Sequence, residues 1–217
     1  MNPRARPIVP AASDLDPAVD AWPAGKPFVR IYHRDWGPLS FNSTSISARF
    51  RPVFDRTGQV VPTAYAAADQ ETAMAEVLLR GVDSLAQDEW PRLYRKEVAG
   101  VEMATLVSDR DIPLARLHGQ GLTRLGVLRS ELVDAEPLDY PYTAEWAQAI
   151  YDCPVDVAGI VWTSRQNDSE RAVLLWEGPL DPAARLQEDG PITPLDSEPG
   201  IDLVRRACAY AGFDFEG

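Results

Sequence analysis

Six side chains along this sequence carry groups suited to chemistry on a phosphorylated sugar. They are Arg30 in RIYH, Arg49 and Arg51 in SARFRP, Tyr65 in TAYAAA, Glu76 in AMAEVL and Ser164 in VWTSRQ. Arginine offers a rigid fork of donors that matches phosphate oxygens, and two arginines on neighbouring strands could clamp a diphosphate. Arginines on a sheet are also common partners of surface carboxylates, of which this chain has many. A glutamate beside a sugar can stabilise an oxocarbenium-like transition state, as in glycoside cleavage. Equally, Glu76 could form an ordinary i, i+4 surface pair with Arg80. Tyr65 could fill the core or give a flat ring a stacking platform. Ser164 could donate to a ligand or satisfy a turn. No Ser/His/Asp pattern makes it a nucleophile, and His33 and His118 read as structural or exposed.

The elements that must position these groups follow from periodicity. Residues 1–27 carry six prolines without sustained apolar repeat and read as a proline-rich N-terminal arm, with the main domain spanning 28–217. Phe28 to His33 alternates as a strand, with Arg30 on the face of Phe28 and Tyr32. Residues 37–50 read as loop and short strand. After the turn signal at Asp55 to Gly58 comes a buried strand centred on Tyr65. Asp69 then caps a helix over about Gln70 to Leu79, stopped by Gly81, with Ala73, Met74, Val77 and Leu78 as its apolar stripe. At 100° per residue Thr72, Glu76 and Arg80 fall on the opposite flank, facing Glu76 away from the core. Strands continue through 94–108 and 111–117. Helices are expected at Gly121–Leu132 and Thr143–Tyr151, the latter with Thr143 as cap. Two strands, 159–164 and 171–177, flank a polar turn. A loop covers Gly178–Gly200, and an amphipathic helix closes the chain. The sum is an α+β domain of mixed sheets with peripheral helices.

Composition narrows the function classes. The 33 acidic and 21 basic residues give a net charge of −12, against direct nucleic-acid binding, while leaving room for a local cluster of arginines around a small anion. Two cysteines and two histidines supply no ligand set, so no metal is expected. The cysteines read as reduced, in a cytoplasmic protein. No apolar run is long enough to span a membrane, and the N-terminus lacks the apolar stretch of a secretory signal. GxGxxG and GxxxxGK loops do not occur.

The ordered set RIYH, PLSFNSTSISARFRP, VPTAYAAADQETAMAEVLLR and GIVWTSRQND resembles the RES-domain family over about residues 28–177. Its most specific part is Tyr65 followed eleven residues later by Glu76. The resemblance implies a fold similar to ADP-ribosyltransferases. It also implies a toxin-type enzyme that degrades NAD by breaking the nicotinamide–ribose bond, as an NAD glycohydrolase using water or an NAD phosphorylase using phosphate. An ADP-ribosyltransferase acting on a protein and a non-catalytic NAD-binding module are the alternatives. NAD is then the substrate, and no cofactor is expected. Carried over, the family's residues make Glu76, Arg30 and Ser164 catalytic, with Arg30, Arg49, Tyr65 and Ser164 holding NAD. Arg51 rivals Arg49, because the family often has glycine and tryptophan around its second arginine. An Xre-like antitoxin is the implied protein partner, with any oligomer formed through it.

Overall fold

Most apolar runs in this chain are short, and many are buried on both faces, so strands outnumber helices. The computed structural model describes residues 6–79, 91–178, 181 and 185–217. Its strands are β1 (Val19–Trp22), β2 (Phe28–His33), β3 (Thr63–Ala67), β4 (Arg92–Tyr94), β5 (Val101–Ser108), β6 (Ile112–Arg116), β7 (Gly159–Thr163), β8 (Arg171–Trp176), β9 (Leu186–Glu188), β10 (Thr193–Pro194) and β11 (Asp214–Glu216). Helices are α1 (Gln70–Val77), α2 (Gln120–Leu125), α3 (Arg129–Leu132), α4 (Tyr140–Tyr151) and α5 (Gly200–Ala211). Among the described residues nine strands form one mixed sheet in the order β1-β6-β7-β8-β3-β2-β5-β10, with β9 also on β5. β4 and β11 make a separate parallel pair. This is the expected mixed α+β architecture with peripheral helices.

One irregularity in the sheet matters most. β3 pairs with β8 along its whole length, and β2 pairs with β5 from Phe28 to His33. Between themselves, β2 and β3 register only at Val29 and Ala67. Beyond that point the two strands part. Backbone groups of Thr63 that β2 leaves unpaired bond instead to Asn42, whose N–H donates to Thr63 O at 2.8 Å and whose carbonyl accepts from Thr63 N at 3.0 Å. The parting leaves an opening in the sheet, edged by a loop rather than a strand.

Side chains alternate across the sheet. Phe28 and Tyr32 join one buried cluster with Trp22, Leu114, Val161 and Val173. On the other face, Val29 and Ile31 pack under α1 and α5 with Met74, Ile201 and Val204. Trp146, Trp162, Trp176 and Phe50 fill a third cluster beneath α2 and α4. Both faces of the central strands are therefore covered, which explains why their sequences read as continuous apolar runs.

Several expected boundaries shift for identifiable reasons. Val19–Trp22, within the expected arm, pairs with β6, and Leu15 and Trp22 are buried, so the sheet begins upstream of Phe28. Asp20 fixes this strand by accepting from Arg116 Nε at 2.6 Å, with His118 Nε2 2.8 Å away. The expected helix 121–132 divides into α2 and α3 because Gly126 takes a left-handed conformation, φ 73°, that ends α2. α4 begins at Tyr140, so Thr143 lies inside its first turn, where its hydroxyl donates to Tyr140 O, and does not cap it. Tyr94–Val98 contributes the end of β4 and a 3-10 turn rather than a strand of the main sheet. The expected loop 178–200 supplies β9 and β10.

Helix α1 departs from its expected orientation in a way that bears on function. Thr72 is 0% exposed and Glu76 9%, whereas Val77, expected in the apolar stripe, is 45% exposed. A single-stripe reading assumes one buried side. Here the sheet and α5 cover one flank, and the turn after β7 covers the other. The rival Glu76–Arg80 pair and the stop at Gly81 lie outside the described residues.

The cap is as expected: the Asp69 carboxylate accepts from Thr72 N at 2.8 Å, from an extended backbone. Replacing Asp69 with Ala should lower stability by about 1 kcal/mol in urea unfolding, with Asp69→Asn close to wild type; equal midpoints for all three would show that the cap does not hold α1. Gly159 opens β7, and a Cβ there would overlap the Leu174 carbonyl of β8. Gly159→Ala should therefore cost about 1–3 kcal/mol in the same assay, and an unchanged midpoint would contradict that close approach.

Candidate functional site

Glu76 is the centre of the buried polar groups. Its Oε1 accepts from Ser164 Oγ at 2.7 Å and from Arg165 N at 3.2 Å. On the other side, Oε2 lies 3.8 Å from Arg49 Nη1, with both side chains nearly fully buried. That spacing is an ion pair and too long for a hydrogen bond. Removing a carboxylate from water is costly, and here the cost is offset by two donors and a cation.

Ser164 can serve Glu76 because of the turn that follows β7. Its hydroxyl accepts from Gln166 N at 3.2 Å and Asn167 N at 3.1 Å, so its one proton is directed to Glu76. Asn167 Nδ2 donates to Thr72 Oγ1 at 2.9 Å, which laces the turn to α1 a second time. From outside, Arg129 Nη2 donates to Ser164 O at 3.2 Å and pairs with Asp168 Oδ1 at 2.9 Å. The turn reading of Ser164 is realised in this hydroxyl, whose proton is committed to Glu76.

Arg49 and Arg51 do different jobs, set by the residue between them. Ala48 and Arg51 exchange backbone hydrogen bonds of 3.1 and 3.3 Å, closing a tight turn in which Phe50 has φ 68°. A left-handed conformation in a bulky residue costs on the order of 1–3 kcal/mol. It is held because the Phe50 ring is fully buried against Trp162 and its N–H donates to Thr143 Oγ1 at 3.2 Å. Arg49 then reaches Glu76. Arg51 turns to the loop after β2, where Nη2 donates to Thr44 O at 2.5 Å, Thr44 Oγ1 at 3.1 Å and Asn42 Oδ1 at 3.3 Å.

Two clefts of about 230 Å³ each lie beside the opening between β2 and β3. One is mostly apolar and is lined by Val29, Tyr65, Ala73, Glu76 and Trp162. The other is lined by Arg30, Arg51, Asn42, Thr63, Tyr65 and Trp36. Ile31 and Tyr65 belong to both. Tyr65 is half-buried, meets Trp162 edge-on at 6.4 Å, and donates its hydroxyl to the Arg49 carbonyl. It is the wall between the two chambers.

The structure thus brings Arg49, Tyr65, Glu76 and Ser164 together, and places Arg30 with Arg51 in the adjoining chamber. Arg30 lies on the opposite face of β2 from α1, as its alternation requires. Its guanidinium donates to Pro38 O at 2.7 Å and sits 5.7 Å from the centre of the Tyr32 ring. Burial pushes its pKa down to about 10, so it stays a cation at neutral pH. Among the described residues neither Arg30 nor Arg51 has a carboxylate partner. Two buried cations with no counter-charge among the described residues, in a chain of net charge −12, make a local field suited to an anion.

Sequence reasoning missed Trp162, Asn42 and Thr63, and held Arg51 only as a rival to Arg49. The uneven register of β2 and β3, which no local pattern encodes, is what brings these residues to the site. His33 is exposed and His118 sits with Asp20, so neither reaches Glu76. Among the described residues no group of three His, Cys, Asp or Glu is arranged to hold a metal, and no helix is long and apolar enough to cross a membrane.

Comparison with known proteins bears on the fold and the family. A chain of the crystal structure of the M. tuberculosis MbcT–MbcA toxin–antitoxin complex superposes with a TM-score of 0.61 at 14% identity, covering 88% of this chain and 92% of that one. No curated protein sequence matches. The RES domain matches residues 27–197, which include all six residues from Arg30 to Ser164 discussed above. The chain belongs to the RES-domain family.

Proposed function

We propose that this protein is a toxin-type enzyme that degrades NAD by breaking the bond between nicotinamide and ribose. The observation that carries this reading is the division of the site: a fixed carboxylate, Glu76, in an apolar chamber, beside a chamber with two buried arginines that have no acidic partner among the described residues. NAD has the same division. Its diphosphate suits Arg30 and Arg51, and its nicotinamide ribose suits the chamber of Tyr65, Trp162 and Glu76.

The chemistry asks little of the protein beyond position and charge. Nicotinamide in NAD is already a cation, so it departs with the electron pair of the glycosidic bond and needs no general acid. Positive charge builds on the ribose C1 as it leaves. Ser164 Oγ and the Arg165 N–H fix one oxygen of Glu76, and Arg49 holds the carboxylate from the other side, so the negative charge is in place before the bond breaks. Water then adds to C1 with loss of a proton, giving ADP-ribose, or phosphate adds in its place. Tyr65 and Trp162 limit the room around the ring.

The fold similarity to a chain from a toxin–antitoxin complex, together with family membership, supports a toxin role. We accordingly propose a cytoplasmic protein neutralised by an Xre-like antitoxin.

Purified protein incubated with NAD, with and without phosphate, should release nicotinamide and yield ADP-ribose or its 1-phosphate, read by chromatography. Absence of nicotinamide under both conditions, with antitoxin removed, would overturn the reading. Glu76→Gln keeps the shape but loses the charge, and kcat of the folded variant should fall about 100-fold or more, with a lower unfolding midpoint because Arg49 loses its buried counter-charge. A kcat within a factor of a few of wild type would mean that Glu76 does not stabilise the reacting ribose.

Arg30→Met separates ligand binding from structure. Removing a buried cation relieves its desolvation but also gives up the bond to Pro38 O, so stability should change by no more than about 1 kcal/mol. KM for NAD should rise at least about tenfold, the worth of a charge-assisted contact. A large loss of stability with unchanged KM would make Arg30 a structural residue.

A further inference from the structure

Trp36 is set apart from the other described tryptophans. Trp22, Trp146, Trp162 and Trp176 are at most 3% exposed, whereas Trp36 is 47% exposed. It stands at the lip of the chamber that holds Arg30 and Arg51. An indole left half in water forgoes much of its burial energy, and flat aromatic surface at the mouth of a charged cleft is suited to receiving another flat ring.

The loop that carries Trp36 is fixed. Arg34 N donates to Gly100 O at 2.7 Å, and the Arg34 side chain reaches Asp196 at 2.6 Å. Trp36 N donates to His33 O at 2.9 Å, and Gly37 and Ser40 close a turn through Ser40 N to Gly37 O at 3.1 Å and Gly37 N to Ser40 Oγ at 3.2 Å. Arg30 itself anchors the loop by donating to Pro38 O. The residue that lines the anion chamber thus also sets the height of the loop bearing the indole. A ring presented on an ordered loop binds without the entropy cost of ordering it.

We propose that Trp36 is the stacking wall of an adenosine subsite, taking the purine of a nucleoside diphosphate whose phosphates lie at Arg30 and Arg51. The substrate class of this chamber is then an adenine dinucleotide rather than nicotinamide mononucleotide, which has no second base to reach Trp36. This deepens the NAD reading and rests on it for the identity of the base, while the subsite itself can be measured without turnover.

The test is binding of ADP, of inorganic diphosphate and of nicotinamide mononucleotide, by calorimetry, to wild type, Trp36→Ala and Trp36→Phe. Wild type should bind ADP more tightly than diphosphate. Trp36→Ala should weaken ADP by about 5- to 150-fold, the worth of one base stacked on an aromatic side chain, and Trp36→Phe should recover part of that loss. Diphosphate and mononucleotide should bind alike to all three proteins. Turnover adds a second readout: in Trp36→Ala the KM for NAD should rise by more than kcat falls. ADP binding that is absent, equal to that of diphosphate, or unaffected by Trp36→Ala overturns the subsite. ADP binding that depends on Trp36 in a protein that releases no nicotinamide from NAD leaves the subsite standing and removes the cleavage reading.

Discussion

The hydrogen bond from Ser164 to Glu76 is the contact on which the rest of the site depends. It joins the turn after β7 to α1, at 2.7 Å and out of water. A carboxylate 9% exposed on a short helix would be a liability without it. With it, and with the Arg165 N–H and Arg49 in support, the same carboxylate becomes a fixed charge facing an apolar chamber. Burial strengthens its field at the place where a cationic sugar would form. Much of the neighbouring architecture serves that geometry: Asp69 caps α1, Thr72 ties it to Asn167, and Phe50 accepts a strained backbone so that Arg49 can reach across.

The second organising constraint is the parting of β2 and β3. A sheet that stayed paired there would bury Tyr65 and close both chambers. Because the strands meet only at Val29 and Ala67, the chain must satisfy the freed edge of Thr63 with Asn42, and it uses Arg51 to brace that loop. The opening and the arginine that lines it are thus consequences of one departure from regular pairing. Arg30 and Glu76 then sit on opposite faces of the sheet beside neighbouring chambers, a division that fits a ligand with an anionic diphosphate at one end and a flat cationic ring on a ribose at the other.

Much of this was legible in the sequence, and the parts that were not share a cause. Alternation gave β2 its ends and placed Arg30 with Phe28 and Tyr32. The Asp69 cap and the run from Tyr65 to Glu76 gave the strand-to-helix unit that fixes those two residues relative to each other. Local patterns report on neighbours along the chain, and failures begin where a distant segment supplies the environment. Glu76 reads as solvent-facing because its cover, the turn at 164–167, lies far along the chain. Val19–Trp22 reads as arm because four residues carry little periodicity without β6 beside them. Arg49 and Arg51 read as rivals because a left-handed Phe50, which sends them apart, has no signature at a non-glycine residue. The order of motifs points to the family independently of these contacts, since order survives where single spacings are weak.

The central claim is that one dinucleotide spans the opening between β2 and β3. A crystal structure of the Glu76→Gln variant soaked with NAD measures this directly. The account expects the diphosphate beside Arg30 and Arg51, and the C1 of the nicotinamide ribose facing residue 76 with the ring in the chamber of Tyr65 and Trp162. NAD bound in the reverse sense, or outside these two chambers, would contradict it.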